Sequence, residues 1–421
     1  MRIRSSELAT HVGEQVAVAG WLQSIRRLGK VTFLVIRDGW GTIQAVVADE
    51  ARLEPLAGAE LESVVELTGT VVGEPQVELH GVTVRVVSRV AEPTPVLLGK
   101  KALVAPLPAL LDHAGVANRH PTRRAVFRLG AAAMRGFRRA LDTQGFVEIQ
   151  SPKLVESATE GGANVFRLDY FGRPAYLAQS PQFYKQTMVG VFERVYEVGP
   201  VFRAEPHDTS RHINQYTSLD VELGFIASHA DVMAVLVSVL REMLAEITRT
   251  CAGELALLGA TLPAVPEAVP EIHFIDAQAR LGEDEPDLSP EGERRLGAWA
   301  REAFGSDWLF VLGYPMAKRP FYTHPDPERP AHSRSFDLLF RGTELVTGGQ
   351  RLHRHEDYVA VLAARGMARE PVASYLEVFQ NGMPPHGGFA IGLERFLMQL
   401  LGLPNIRLAT LFPRDLSRLS P

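Results

Sequence analysis

Residues 202–222 read FRAEPHDTSRHINQYTSLDVE. Two strand-like runs flank a polar loop. In the first, period-two alternation puts Arg203 and Glu205 on one face, with Phe202 and Ala204 behind. In the second, Leu219, Val221 and Leu223 make an apolar face, so Tyr216, Ser218, Asp220 and Glu222 share the open one. The connecting loop holds His207, Asp208, Arg211 and His212. It is too long and polar for a tight hairpin and is expected to arch over something. Opposite charges at strand spacing either pair across a solvated sheet face, where each pair contributes little, or they order a ligand.

The surrounding chain narrows the choice. Its 421 residues suit two or three domains of ~150 residues each. Hydrophobic residues make up 46%, enough for a substantial core. The net charge of -5 excludes a generally basic surface, so any nucleic-acid contact must use a local patch. The single cysteine, Cys251, excludes an internal disulfide and a multi-Cys zinc site. The opening MRIRSSELATHVGEQ has no apolar core of signal type, and no unbroken apolar run reaches membrane length. A cytoplasmic protein without a membrane partner is expected.

Residues 1–95 read as all-β. VAVAG, VTFLVIRD, IQAVVAD, VVELTGTVVG and VTVRVVSRV are about five short strands punctuated by glycine, which suggests a small barrel or sandwich. A Pro-containing link, residues 96–120, follows. Residues 121–421 mix helices with hairpin-joined strands, which predicts an α+β domain with an antiparallel sheet. RRAVFRLGAAAMRGFRRALDTQGF reads as a helix stopped by Gly145, FVEIQSPKL as a strand ended by Pro152, and SHADVMAVLVSVLREMLAEITRT as a helix capped by Ser228.

Three further stretches carry polar groups at suggestive spacing. In QSPQFYKQ, Ser180 and Pro181 are expected at N-cap and N1 of a helix bearing Gln182 and Lys185. In SFDLLFRGTELVTGGQR, a two-residue turn at Arg341-Gly342 puts Asp337 and Glu344 on one face, where two carboxylates could hold Mg²⁺. Strict alternation sends Thr347 to the other face unless Gly348-Gly349 permits a bulge. In GGFAIGLERF, glycines allow close backbone approach, and Arg395 opens a helix. Each alone has a bland reading: a surface lysine, an acidic hairpin, tight helix–sheet packing.

Together and in this order, these stretches resemble the three motifs of a class II aminoacyl-tRNA synthetase. GFVEIQSP is similar to motif 1, VFRAE…RHINQYTSLDVE to motif 2 and GGFAIGLERF to motif 3. TEGG, QSPQFYKQ, RPFYT, GMPPHGGFAIGLER and ATLFPRDLSRLSP resemble the aspartyl-tRNA synthetases of archaeal type. The resemblance implies an N-terminal OB-fold that reads the anticodon and a catalytic domain whose antiparallel sheet is flanked by helices. It implies a homodimer, ATP and L-aspartate as substrates, and Mg²⁺.

It also implies roles. Arg203 would hold the α-phosphate and the attacking carboxylate, and Arg395 the γ-phosphate. Glu205, Arg211, His212, Ile213, Tyr216, Glu344, Gly392, Leu393 and Glu394 would complete the ATP pocket. Asp337, Glu344 and Thr347 would hold the metal. Glu160, Gln182, Lys185, Asp220, Thr347 and Arg351 would surround aspartate with Arg203, and Asp220 would hold Lys185 in place. Arg26, Phe33 and Gln44 would read the anticodon, with Phe33 stacked on its middle base. Thr347 stands where the family commonly has Ser, Gln215 where Glu is frequent, and Gln23 where Trp or His is common. The sister asparaginyl enzymes usually carry Glu at the position of Asp220, which favours aspartate over asparagine. A tRNA-independent asparagine-forming paralogue and a non-catalytic tRNA-binding module are the other readings. Whether tRNA(Asp) alone is charged, or tRNA(Asn) too with a partner amidotransferase, is open at this level.

Overall fold

Five strands close into a barrel in the first of two units, residues 1–121 and 122–421. The computed structural model describes residues 2–156 and 164–420. The barrel strands are β1 (Gln15–Leu28), β2 (Val31–Arg37), β3 (Thr42–Val47), β4 (Val64–Val72) and β5 (Glu78–Ser88), in the order β1-β2-β3-β5-β4. Alternation decides what fills it. Val16, Val18, Leu34, Ile36, Ile43, Ala45, Leu67 and Leu79 point inward and are buried. Burying each Val, Leu or Ile side chain among them contributes about 1.5–3 kcal/mol. Arg37, also buried, is neutralised by a two-point contact with Glu62, at 2.9 and 2.7 Å. Residues 96–120 are more than a bare link: they form two short helices, Leu107–Asp112 and Ala114–Ala117, over a small apolar cluster including Val96, Leu98 and Ala117.

The second unit is built on an eight-stranded sheet. Its strands are β6 (Val147–Glu148), β10 (Arg194–Phe202), β11 (Gln215–Gly224), β12 (Glu271–His273), β13 (Trp308–Leu312), β14 (Ser335–Phe340), β15 (Thr343–Gln350) and β16 (His386–Gly392). The order is β12-β13-β14-β15-β16-β11-β10-β6. The six central strands are antiparallel, but both edge pairs, β12 with β13 and β6 with β10, are parallel, so the sheet is mixed. A separate three-stranded sheet joins β7 (Leu154–Val155), β9 (Arg173–Leu177) and β8 (Arg167–Tyr170). The strand expected over FVEIQSPKL is therefore two short pieces, because Pro152 cannot donate to a ladder.

The back face of the large sheet carries Leu219, Val221, Leu338, Phe336, Phe389 and Ile391. Helices Pro121–Asp142 and His229–Thr250 cover it. Ser228 caps the second of these as expected, in a reciprocal box with Asp231. At Arg341-Gly342 both residues have positive φ, 50° and 72°, the conformation a two-residue hairpin turn requires.

Candidate active site

The front face of the sheet is polar and buried. Cross-strand register sets Glu197, Asp220, Ala390, Thr347 and Asp337 in one row across β10, β11, β16, β15 and β14. Alternation correctly turned Ser218, Asp220 and Glu222 away from the apolar core. The face is not open, however: these three are 4%, 1% and 0% exposed. It forms the floor of a cleft of roughly 330 Å³.

One end of the cleft is an ionic cluster. Helix Gln182–Phe192 brings Lys185 over β11, where Nζ lies 3.0 Å from Asp220 Oδ1 and 3.4 Å from Glu222 Oε2. Ser218 Oγ donates to Asp220 Oδ2 at 2.5 Å. Arg351 donates through Nε to Glu222 Oε1 and through Nη2 to the Gly388 carbonyl, both at 3.0 Å. Burial alone would raise the Glu222 carboxyl, but Arg351 and Lys185 hold it below its ordinary range. Glu222 thus links both cations. Its signal was the same alternation that marked Asp220, yet no role had been given to it. Gln182 also lines this end, and its buried Nε2 has no protein acceptor among the described residues. The helix begins one residue later than expected. Pro181 is the N-cap, while Ser180 Oγ still accepts the Gln182 N–H at 3.2 Å. Glu160 lies outside the described residues.

Behind the cluster runs a neutral chain. His386 Nδ1–H donates to the Pro384 carbonyl at 2.9 Å, which leaves Nε2 to accept from Gln186 at 3.1 Å. Gln186 Oε1 accepts from Tyr375, which contacts Tyr358, each at 2.8 Å. Burial pushes His386 down to about 4, so the ring is neutral.

The other end is made by the loop after β10. The strand stops at Phe202, so Arg203 and Glu205 lie beyond it and not on its face. Asn214 pins this turn, donating to the Arg203 and Glu205 carbonyls at 2.6 and 3.2 Å. Arg203 lies over the Tyr216 ring, 5.8 Å from its centroid, and 3.8 Å from Glu205. His212 is 4.0 Å from Glu205; burial lowers its pKa. Ile213 packs with Met398 and Ile406 as an apolar floor beside Tyr216. Arg211 lines the same end. Arg407, which sequence reasoning missed, clamps the loop: it reaches Asp208 at 2.6 Å and the Thr209 carbonyl at 3.0 Å.

The far wall corrects the hairpin reading. The bulge is at Leu345, because Leu338 pairs with Val346 and Leu339 with Glu344. The extra residue puts Thr347 back on the face of Asp337 and Glu344 before Gly348-Gly349 is reached. Thr347 Oγ1 lies 3.3 Å from Glu344 Oε1. Arg395 donates to the Glu344 carbonyl at 3.1 Å and forms an ion pair with its carboxylate at 3.6 Å. Asp337 sits deeper, held by Arg319 at 2.9 Å. Burial pushes Asp337 up to about 6, with Arg319 pulling down and Glu344 pushing up. Arg319 belongs to RPFYT but had been assigned no role. Gly392 lines the cleft, whereas Leu393 packs into the core. Glu394 accepts the Thr217 N–H at 3.0 and 3.1 Å, and burial raises it to about 7. Among the described residues no group of three or more His, Cys, Asp and Glu could hold a metal ion. The candidate set is two carboxylates and a hydroxyl.

In the barrel unit Phe33 is half-buried on the outer surface of β2, paired with Arg26 and Val46, and is absent from the barrel core. Arg26 donates to Gln44 Oε1 at 3.0 Å, and Gln44 Nε2 donates to Glu78 at 2.8 Å. Glu78 is a further residue without an earlier signal.

A cation-lined cleft on a mixed sheet of antiparallel centre, with arginines at both ends, defines a catalytic domain of the class II synthetase type. A family model described as "tRNA synthetases class II (D, K and N)" matches residues 109–416, and an "OB-fold nucleic acid binding domain" matches 16–86. The chain belongs to that class II tRNA synthetase family. It is 49% identical to a Thermus thermophilus aspartate–tRNA(Asp/Asn) ligase over 100% of both chains. It is 45% identical to the enzyme of that name from Deinococcus radiodurans, over 100% of this chain and 99% of the relative. A solved asparaginyl-tRNA synthetase from Pyrococcus horikoshii, complexed with asparaginyl-adenylate, superposes with a TM-score of 0.92 at 30% identity over 100% of both chains.

Proposed function

We propose that the chain is an aspartate–tRNA ligase that activates L-aspartate with ATP and charges both tRNA(Asp) and tRNA(Asn). The observation that carries the amino-acid assignment is the Lys185–Asp220–Glu222–Arg351 cluster. Lys185 and Arg351 offer positive charge to a side-chain carboxylate, and the two protein carboxylates hold those cations in place. Arg351 Nη1 has no protein acceptor among the described residues and is available to a ligand oxygen at the cleft.

Adenylate formation needs positioning and charge neutralisation more than a protein nucleophile. The aspartate α-carboxylate attacks the α-phosphorus, pyrophosphate leaves, and Arg203 neutralises the oxygens that meet there. Tyr216, over Ile213, offers a stacking face for adenine; Arg211 and Arg395 take the terminal phosphates. A ribose hydroxyl of the tRNA terminus then displaces AMP. Glu344 and Thr347, with Asp337, would hold Mg²⁺. The oxygen-only donor set suits that hard cation, and the repulsion between Asp337 and Glu344 is the kind a cation relieves. Bound there, the ion would screen the charge of the phosphates.

The dual tRNA assignment rests on the relatives that share this name. It implies that the Asp-tRNA(Asn) product is passed to an amidotransferase. Cytoplasmic location and a homodimer complete the reading; no described helix is long and apolar enough to cross a membrane.

The test is aminoacylation of purified tRNA(Asp) and tRNA(Asn) with labelled aspartate or asparagine. Aspartate on both tRNAs is expected. Aspartate on tRNA(Asp) alone would overturn the dual assignment, and asparagine as the amino acid charged would overturn the substrate.

A further inference from the structure

Glu293 lies outside every motif discussed so far, yet its carboxylate reaches the wall of the nucleotide end. It sits in the first turn of helix Pro290–Phe304, which starts at Ser289, whose Oγ accepts the Gly292 N–H at 2.9 Å. Glu293 Oε2 accepts the Glu344 backbone N–H, also at 2.9 Å. The reason for this bond is topological. The ladder between β15 and β16 begins at Val346, so the peptide groups of Glu344 project beyond it. Side chains take both of them: Glu293 the N–H, Arg395 the carbonyl at 3.1 Å. Glu344 also adjoins the bulge, where the ladder to β14 is least constraining.

The helix is held against this hairpin independently of Glu293. A Cβ on Gly297 would fall 2.4 Å from Gly342 Cα, so only glycine lets the helix touch the turn. Asp307 ties helix to turn as well, accepting from Arg301 at 2.6 Å and from Arg341 at 3.2 Å. The bond from Glu293 to Glu344 is therefore made from a fixed platform.

We infer that Glu293 is a positioning residue: by accepting the Glu344 N–H it sets the bulged backbone from which the Glu344 carboxylate faces the metal–nucleotide end of the cleft. This rests on the reading that Glu344 serves Mg²⁺–ATP, and it needs no assumption about the amino acid or tRNA.

The experiment uses the full chain and Mn²⁺ as probe, with free Mn²⁺ read by electron paramagnetic resonance in the presence of ATP. Glu293→Ala is expected to weaken Mn²⁺–ATP binding about 10-fold, the lower end for loss of an outer-shell partner, and to lower pyrophosphate exchange similarly. Glu293→Gln should recover most of that loss, because its amide oxygen can accept the same N–H. In a Glu344→Ala background Glu293→Ala should add little, since the residue acts through Glu344. Gly297→Ala, which lifts the helix off the turn by a separate route, should weaken Mn²⁺–ATP binding in the same direction. Wild-type affinity in Glu293→Ala, a Glu293→Gln variant as weak as the alanine one, or full additivity with Glu344→Ala would each overturn the inference. A wild-type chain whose ATP binding ignores Mn²⁺ would instead overturn the metal reading itself, and the role of Glu293 with it.

Discussion

The Lys185 ammonium lies 3.0 Å from Asp220 Oδ1, and both side chains are almost fully buried, at 1% and 2% exposure. An ion pair this deep is weak evidence for stability, because desolvating two charges offsets much of their attraction. Its value is geometric. The ammonium also meets the Val221 and Phe389 carbonyls at 3.4 and 3.3 Å, so its position is set from four sides with Glu222.

Replacing Lys185 with Met should therefore harm twice. Asp220 and Glu222 lose a buried partner, which costs about 3–5 kcal/mol of stability. Aspartate loses a cation, so its KM in pyrophosphate exchange should rise well beyond that for ATP. Urea unfolding reads the first effect and exchange kinetics the second; equal changes in both KM values would argue against a role in the aspartate pocket.

Gly388 has no room for a methyl group. A Cβ there would fall 2.0 Å from the Val221 carbonyl and 2.1 Å from Glu222 Oε2. Gly388→Ala must push β16 from β11 or displace Glu222, and overpacking of this kind typically costs about 1–3 kcal/mol. Because Glu222 also holds Arg351, aspartate binding should suffer more than ATP binding. Calorimetric titration with each substrate would show it, and an undiminished aspartate affinity would contradict the proposed link.

His386 gives a pH signature. Its folded pKa of about 4 lies below the ordinary 6.5, so between these values the unfolded chain binds the extra proton. Its contribution is intact above pH 6.5 and is lost as pH falls toward 4, a change of roughly 3 kcal/mol. Glu394, raised to about 7, and Asp337, raised to about 6, act oppositely, since their folded forms hold protons more tightly. The comparison of wild type with His386→Gln isolates the histidine. The variant should lose less stability between pH 7 and 4.5 in urea titrations; parallel curves would count against a buried neutral ring.

Phe33→Ala should separate the two units in function. Phe33 is a surface residue of the barrel, so its removal leaves the apolar core intact. Loss of a base-stacking ring costs about 1–3 kcal/mol. The KM for tRNA should rise by one to two orders of magnitude while pyrophosphate exchange continues unchanged. A fall in exchange would mean that the substitution disturbs folding instead.

Much of this was legible in the chain. Period-two alternation found the two faces of β11, and the Ser228 cap and the Arg341-Gly342 turn depend on residues adjacent in sequence. Local rules failed where the outcome depended on distant partners. The bulge falls at Leu345 and not at Gly348-Gly349, because pairing with β14 fixes which residue is left over. The partners of Glu222, Arg319 and Glu78 were not legible, because a charged residue reads alike in sequence whether it meets water or a buried polar group.

The sequence by itself determined the α+β catalytic unit, through periodicity and turn chemistry, and the family, through motif order; the five-strand pattern left barrel and sandwich open until the family resemblance implied an OB-fold. Only the tertiary structure decided that the polar face of β11 is buried, that Lys185 and Arg351 meet on Glu222, and that Glu293 reaches Glu344. Lys185 is 37 positions from Glu222 and Arg351 is 129 away. What joins them is tertiary packing: sheet register sets the end of β15 beside β16 and β11, and helix Gln182–Phe192 lays Lys185 over β11, and no local pattern encodes either.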